Sequence, residues 1–231
     1  MKISIIIPTY NERENLETLV ARLHNCLSPD TYELIIVDDD SPDGTCELAR
    51  ELSAEHPMRI IRRKGKRGLA SAIVDGFKEA TGEILGVLDA DLQHPPEVIR
   101  ELIEQMPQYD IAIASRYVKS GKVEGWSFLR RLVSKGAILL ARPLTQVKDP
   151  MSGCFSAKAE IIRDIKFDPV GYKILLEVIV KGRYEKVKEI PYAFQVRAHG
   201  QSKLGFGEYV NYLKLLLRLY RYKFTVARGG R

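Results

Sequence analysis

Short apolar, β-branched runs alternate with stretches of helical periodicity over the first half of the chain, and few folds accommodate that order. "KISIIIP" (2–8), "ELIIVD" (33–38), "MRIIR" (58–62), "EILGVLD" (83–89) and "DIAIAS" (110–115) read as strands. Between them lie helical patterns. Residues 12–26 place Leu16, Leu19, Val20 and Leu23 on one face. A second helix is expected from Ser41 as N-cap, with Pro42 at its first position and Leu48 and Leu52 on its apolar stripe. "GLASAIVDGFKEATG" is a helix expected to end at Gly82, and Pro95-Pro96 opens another over 96–106. Connections of a few residues joining strand to helix to strand give an α/β fold, a mostly parallel central sheet with helices on both faces.

Ligands on such sheets collect at the carboxyl ends of the strands. Asp38, Asp89 and the pair Ser115-Arg116 all fall there. "VLDADLQHPP" (87–96) is the sharpest case, because Asp89 and Asp91 are like charges one residue apart at the end of a buried run. Residues two apart on a strand share a side. With the amide of Gln93 they make an incomplete set of hard oxygen ligands, which suits Mg²⁺ or Mn²⁺ shared with a substrate diphosphate; zinc would want nitrogen or sulfur. The plain alternative is a solvated turn, or one aspartate capping the helix that starts near Pro95. Continued alternation would turn His94 away, toward a capping or surface role.

Composition narrows the class. The 231 residues are 45% apolar and 29% charged, an ordinary globular balance, and no run approaches the length of a membrane span or a signal peptide. Cys26, Cys46 and Cys154 are odd in number and far apart, which suits reduced thiols in the cytosol. A net charge of +6 favours an anionic partner. Without internal repeats or linkers, 1–231 reads as one domain.

Seven segments follow one another as in glycosyltransferase family 2: "IIIPTYNERENL" (5–16), "VDDDSPDGT" (37–45), "GLASAIVDGF" (68–77), "LDADLQHPPE" (88–97), "SRYV" (115–118), "DPMSGCF" (149–155) and "RAHGQSKLG" (197–205). Together they resemble its polyprenyl-phosphate branch, the dolichyl-phosphate mannose synthases. The resemblance covers nearly the whole chain. It implies the nucleotide-diphospho-sugar transferase fold of the A type, a divalent metal at Asp89, Asp91 and Gln93, and GDP-mannose as donor. On the donor side it assigns Pro8, Tyr10 and Glu12, Val37 through its backbone, Asp39 among the three aspartates 38–40, Ala90 between the metal aspartates, Lys173, Arg197 and Lys203. His199 departs from the arginine or tyrosine found in relatives. On the acceptor side it assigns Arg116, Arg130 and Ser134 to a lipid phosphate, the last two sharing a helix face. Asp149 either orients the sugar or stabilises its turn, the turn being favoured, and "RRKGKRG" (62–68) reads as a largely solvated basic face.

The chemistry then expected is a single in-line displacement. A polyprenyl (dolichyl) monophosphate, already anionic, attacks the anomeric carbon, GDP leaves, and an α-linked sugar becomes β-linked. UDP-glucose or another nucleotide sugar is the nearest alternative donor. A non-catalytic nucleotide- or lipid-binding module is the alternative of another class, disfavoured by the complete acidic and arginine set. Nucleic acid is not the expected partner, since only the net charge speaks for it. Dinucleotide and P-loop signatures are missing from the sequence. The C-terminal helix, about 208–223, sets Val210, Leu213, Leu217, Tyr220 and Phe224 against a stripe of Lys214, Arg218 and Arg221. Such a helix can lie in a membrane interface or pack on its own domain, and Trp126 and Phe128 are further candidates for membrane contact. The expected location is peripheral, on the cytoplasmic face of a membrane, where a membrane-spanning partner could also hold it.

Overall fold

The computed structural model describes residues 2–28, 31–196 and 205–229. The first half follows the expected order: β1 (Ile3–Thr9), α1 (Arg13–Cys26), β2 (Tyr32–Asp38), α2 (Thr45–Leu52), β3 (Met58–Arg62), α3 (Leu69–Glu79), β4 (Ile84–Val87), α4 (Glu97–Gln105) and β5 (Ile111–Ser115). The second half adds β6 (Lys122–Val123), α5 (Phe128–Ala141), β7 (Phe155–Lys158), α6 (Ala159–Arg163), α7 (Ile174–Lys181), β8 (Val187–Pro191), β9 (Ala193–Phe194) and α8 (Phe206–Gly229).

Seven strands form one sheet in the order β3-β2-β1-β4-β7-β5-β8, and β6 pairs with β9 separately. Pairing is parallel except around β7, which runs antiparallel to both β4 and β5. Strand periodicity sorts the core into two layers. Ile5, Ile7, Leu34 and Ile36 point to the face covered by α1 and α4, where Leu16, Leu19, Leu23, Ile99 and Leu102 meet them. Ile6, Ile35 and Val37 point to the other face, against Ile73 and Phe77 of α3 and the apolar side of α7. Near-continuous apolar strands are what a sheet buried on both faces requires.

The chain leaves β1 toward β2 and β3 on one side, while β4 lies on the other. The β1/β4 boundary is therefore the point where strand order reverses and a crevice opens at the carboxyl edge. Non-glycine residues take left-handed backbone just past three of these strand ends: Asn11 (φ 55°), Asp40 (φ 57°) and Leu92 (φ 59°). Such conformations cost about 1–3 kcal/mol each and cluster where function needs sharp turns.

Two helix boundaries differ from expectation. Ser41 does not cap α2, because its hydroxyl and N–H both bond the Asp38 carboxylate. The helix starts later, at Thr45, whose N–H donates to Asp43 at 3.0 Å, after Gly44 at φ 86°. Gly82 lies beyond the end of α3, where a Cβ would come within 2.6 Å of the Ser4 nitrogen. Its role is to let two backbones approach closely.

Candidate functional site at the sheet edge

Asp89 and Asp91 lie in the turn just past β4, not on the strand itself. Gln93 N–H donates to Asp91 Oδ1 at 3.1 Å. The left-handed Leu92 breaks strand alternation at this point, and this overturns the surface reading of His94. The imidazole is buried, stacked on Tyr192 and edge-on to Phe194, with Nδ1 3.7 Å from Asp89 Oδ2. Burial, and then the charge of Arg116, push its pKa down to about 3, so the ring is neutral at physiological pH. Gln93 is tied elsewhere as well: its Nε2 donates to the Gln195 carbonyl, and Gln195 N–H donates back to the Gln93 carbonyl at 2.9 Å. The acidic turn is thereby fastened to the segment leading into 197–204. Arg197 and Lys203 lie outside the described residues.

The residues fit a hard divalent cation. Two carboxylates and an amide are oxygen donors, and among the described residues no cluster of three His, Cys, Asp or Glu side chains offers a competing site. Gly153 supplies the supporting shape. A Cβ there would press on the Asp89 carboxylate, at 2.7 Å from Cγ and closer still to Oδ2. Bare backbone thus makes the slot in which Asp89 sits.

Across the β1/β4 boundary, Tyr10 is half-buried with the Arg67 guanidinium 4.7 Å above its ring. Glu12 stands at the N-cap of α1. Its Oε2 accepts from Asn15 Nδ2 at 2.8 Å while its N–H donates to Thr45 Oγ1. Pro8 pairs in register with Val37, whose side chain is buried against α3 and leaves backbone as its polar contribution. Ala90 is buried between the two aspartates of the turn. The three aspartates after β2 divide their work. Asp38 accepts from Thr9 and Ser41, and Asp40 pairs with Arg62. Asp39 accepts from Gly68 N–H at 2.8 Å and faces Arg63 at 3.3 Å. Burial outweighs those contacts and raises the Asp39 pKa. Arg63 is itself buried between Asp39 and Asp75, the exception in 62–68, where Arg62, Lys64, Lys66 and Arg67 are exposed as expected.

On the other side of the acidic turn, Arg116 makes three bonds to Asp149, from its N–H, Nε and Nη2, all at 2.8–2.9 Å. Both are buried, and Asp149 is fully so. Burial opposes charge on Asp149, yet Arg116 outweighs it and holds the carboxyl below its usual range. Asp149 is therefore more than a turn residue: it holds an arginine at the ligand edge. The guanidinium faces Trp126 at 5.3 Å and Tyr117 at 5.5 Å. Trp126 in turn carries Arg130 at 4.3 Å over its ring, and the Tyr117 hydroxyl bonds Ser134 at 2.8 Å. The three residues expected to share an anion are thus linked through two aromatic rings. Lys173, at the start of α7, donates to the Met151 carbonyl at 3.1 Å. Burial, then Arg116, lowers its pKa to about 7. His94, Gly153 and Asp149 were obscure in sequence, although the last two lie in the quoted "DPMSG".

α5 is inverted relative to an ordinary surface helix. Ile138 and Ala141 pack inward, while Phe128, Leu129, Leu132, Leu139 and Leu140 face out, Phe128 at 82% exposure. α8 packs on its own domain along one side and leaves apolar side chains exposed along another. Leu215, Leu216 and Leu219 pack with α5 and α7, and Leu213, Leu217 and Phe224 are exposed. Tyr220 belongs to the inner side, its hydroxyl donating to the Leu140 carbonyl at 2.7 Å. Trp126 is likewise half-buried in the aromatic cluster. Among the described residues no helix is long and apolar enough to cross a membrane.

A sheet of this order, with an acidic turn at its switch point, is that of the A-type glycosyltransferase fold. Glucosyl-3-phosphoglycerate synthase from Mycobacterium tuberculosis, solved with Mn²⁺, UDP and glucosyl-3-phosphoglycerate, superposes with a TM-score of 0.69 over 95% of this chain and 78% of that one, at 20% identity. The family model for glycosyl transferase family 2 matches residues 4–166, and the chain belongs to that family. A dolichol-phosphate mannosyltransferase of Pyrococcus furiosus is 51% identical over 99% of this chain, which spans 66% of that relative's length. A dolichol-phosphate mannosyltransferase of Saccharomyces cerevisiae is 39% identical over 96% of this chain and 88% of its own.

Proposed function

We propose that the chain transfers mannose from GDP-mannose to a polyprenyl monophosphate of the dolichyl type, with inversion to a β-linked product. The observation that carries this reading is the 51% identity to the archaeal dolichol-phosphate mannosyltransferase across almost every residue of this chain. Asp89, Asp91 and Gln93 hold Mg²⁺ or Mn²⁺, which when bound neutralises the donor diphosphate and the charge that develops on the leaving group. Tyr10, Glu12 and Asp39 receive the nucleoside, with the backbone around Pro8, Val37 and Ala90. Lys173 meets the diphosphate, as Arg197 and Lys203 do in this reading.

The acceptor is an oxyanion at neutral pH and needs no strong general base. The chain's task is to bring two anions together, and positive charge placed in a water-poor pocket does that. Arg130 and Ser134 contact the lipid phosphate. Arg116 contributes its field and shapes the pocket rather than forking onto the phosphate, because Nε and Nη2 are held by Asp149. The outward apolar face of α5, carried on the helix that holds Arg130 and Ser134, lies in the membrane interface and lets the lipid tail stay in the bilayer while its phosphate enters the site.

The test is mannosyl transfer from GDP-mannose to a short polyprenyl phosphate in detergent, with Mn²⁺ and with EDTA, next to calorimetric titration with GDP and UDP. Metal-dependent product and a preference for GDP are expected. Preference for UDP would retain the reaction class and change the donor, and binding without product would leave a non-catalytic module.

A further inference from the structure

The assignment of Asp89, Asp91 and Gln93 as cation ligands leaves the next residue, His94, without a task. Its side chain is 3% exposed, and its ring is fixed by Tyr192 at 5.1 Å, nearly parallel, and by Phe194 at 5.3 Å, nearly perpendicular. Neither ring nitrogen has a hydrogen-bond partner among the described residues. Buried polar atoms are rarely left so, and each case calls for a reason. Nδ1 faces Asp89 Oδ2 at 3.7 Å. The same oxygen is the atom nearest to where a Cβ on Gly153 would stand, so bare backbone meets the carboxylate there. Asp89 Oδ2 thus has both an imidazole edge and a residue with no side chain as neighbours.

We propose that His94 is a positioning residue for Asp89. As the neutral Nδ1–H tautomer it donates a hydrogen bond to Oδ2, which fixes the plane of the carboxylate and aims it at the divalent cation. The bond closes by less than about 1 Å as the carboxylate is drawn onto its ligand, since such contacts are commonly long in the unliganded state. Ligating carboxylates are as a rule held by a second layer of hydrogen bonds, whose loss weakens metal binding by roughly 10–100-fold. The aromatic stacking explains why the ring cannot swing to another partner.

The inference rests on the proposed metal role of Asp89 and Asp91, so its test carries Asp91→Ala beside the histidine variants. Mn²⁺ is titrated by electron paramagnetic resonance at saturating GDP or UDP, whichever binds better, and thermal unfolding is followed in EDTA. His94→Phe keeps the ring stacking and removes both nitrogens. It is expected to unfold near the wild-type temperature and to bind Mn²⁺ at least about tenfold more weakly. His94→Asn, whose amide nitrogen can occupy the place of Nδ1, is expected to recover most of that loss. Wild-type Mn²⁺ affinity in His94→Phe, or an asparagine variant no better than phenylalanine, overturns the proposal. Unchanged Mn²⁺ binding in Asp91→Ala would instead remove the metal reading itself. Should His94→Phe fail to fold, ¹⁵N spectra of the wild type with Mg²⁺ and the nucleotide decide: a protonated Nδ1 supports the role, and a protonated Nε2 refutes it.

Discussion

Replacing Gly153 by alanine isolates the acidic slot, because no positive φ accompanies this glycine and the effect is steric alone. The added Cβ would lie 2.7 Å from Asp89 Cγ, with Oδ2 nearer. Carbon atoms in ordinary contact stand about 3.5–4.0 Å apart, so the carboxylate must retreat by roughly 1 Å. The buried His94 also stands close to Oδ2, so the carboxylate yields by rotating away from both neighbours. Metal–oxygen distances tolerate a few tenths of an ångström, and a displacement of about 1 Å at a reacting centre typically costs 10²-fold. Gly153→Ala is expected to weaken Mn²⁺-dependent nucleotide binding by about 10²-fold, which is ~2.7 kcal/mol. Binding measured in EDTA and the unfolding temperature should stay close to wild type. Calorimetry with and without Mn²⁺ reads both arms. An alanine variant with undiminished metal-dependent binding would refute the slot and the placement of Asp89 as a ligand.

Asp149→Asn leaves the buried Arg116 charge without its partner, at a cost of about 3–5 kcal/mol. Thermal unfolding should shift down by roughly 6–20 °C, and a shift under ~2 °C would show the pair to be dispensable. A diphosphate bound beside Lys173 should raise its pKa from about 7, since an anion favours the charged amine. Donor binding at about pH 8 then takes up protons, and uptake fades below about pH 7, where the free amine is already charged. Calorimetry in two buffers of different ionisation enthalpy should give different apparent enthalpies, and Lys173→Met should remove the difference; equal enthalpies in the wild type sink the assignment. Leu132→Asp with Leu139→Asp should lower sedimentation with anionic vesicles at least about tenfold while stability stays within about 0.5 kcal/mol. Unchanged sedimentation would mean that α5 does not meet lipid.

The parallel half of the sheet was legible because β1, β2 and β4 are apolar on both faces, and few folds bury a run like "ISIIIPT" completely. The direction of β7 was not, since four residues such as "FSAK" pair equally well either way until their neighbours are placed. Periodicity found the two faces of α5 and α8 without saying which one the protein covers. Packing decided that by taking Ile138, Leu215, Leu216 and Leu219 inward. His94 was misjudged because alternation was extended through Leu92, where the left-handed backbone ends it. Arg63 looked solvated amid like charges, but Asp39 and Asp75 reach it only once β2, β3 and α3 have assembled. Asp89 and Asp91 stood out because two carboxylates one residue apart follow an apolar run at the end of the fourth strand of a basic chain, although a solvated turn or a cap would use the same residues. Gly153 has no side chain to announce it.

β7 enters the sheet from the edge where β5 leaves it. Ala114 N–H meets the Cys154 carbonyl at 3.0 Å, so the excursion between them starts and finishes at one neck on neighbouring strands. That stretch contains Arg116, Trp126, the whole of α5, Asp149 and Gly153, while the residues proposed to receive the nucleoside lie on β1, β2 and their turns. The excursion is held to the rest of the molecule by the pairing of β6 with β9 and by the packing of α5 on α7 and α8. A lineage or a designer that altered it to suit a different phosphate-bearing acceptor would have to keep those contacts, while the register of β1 with β2 would stay as it is. A further constraint across the join is the bare backbone of Gly153 that faces Asp89.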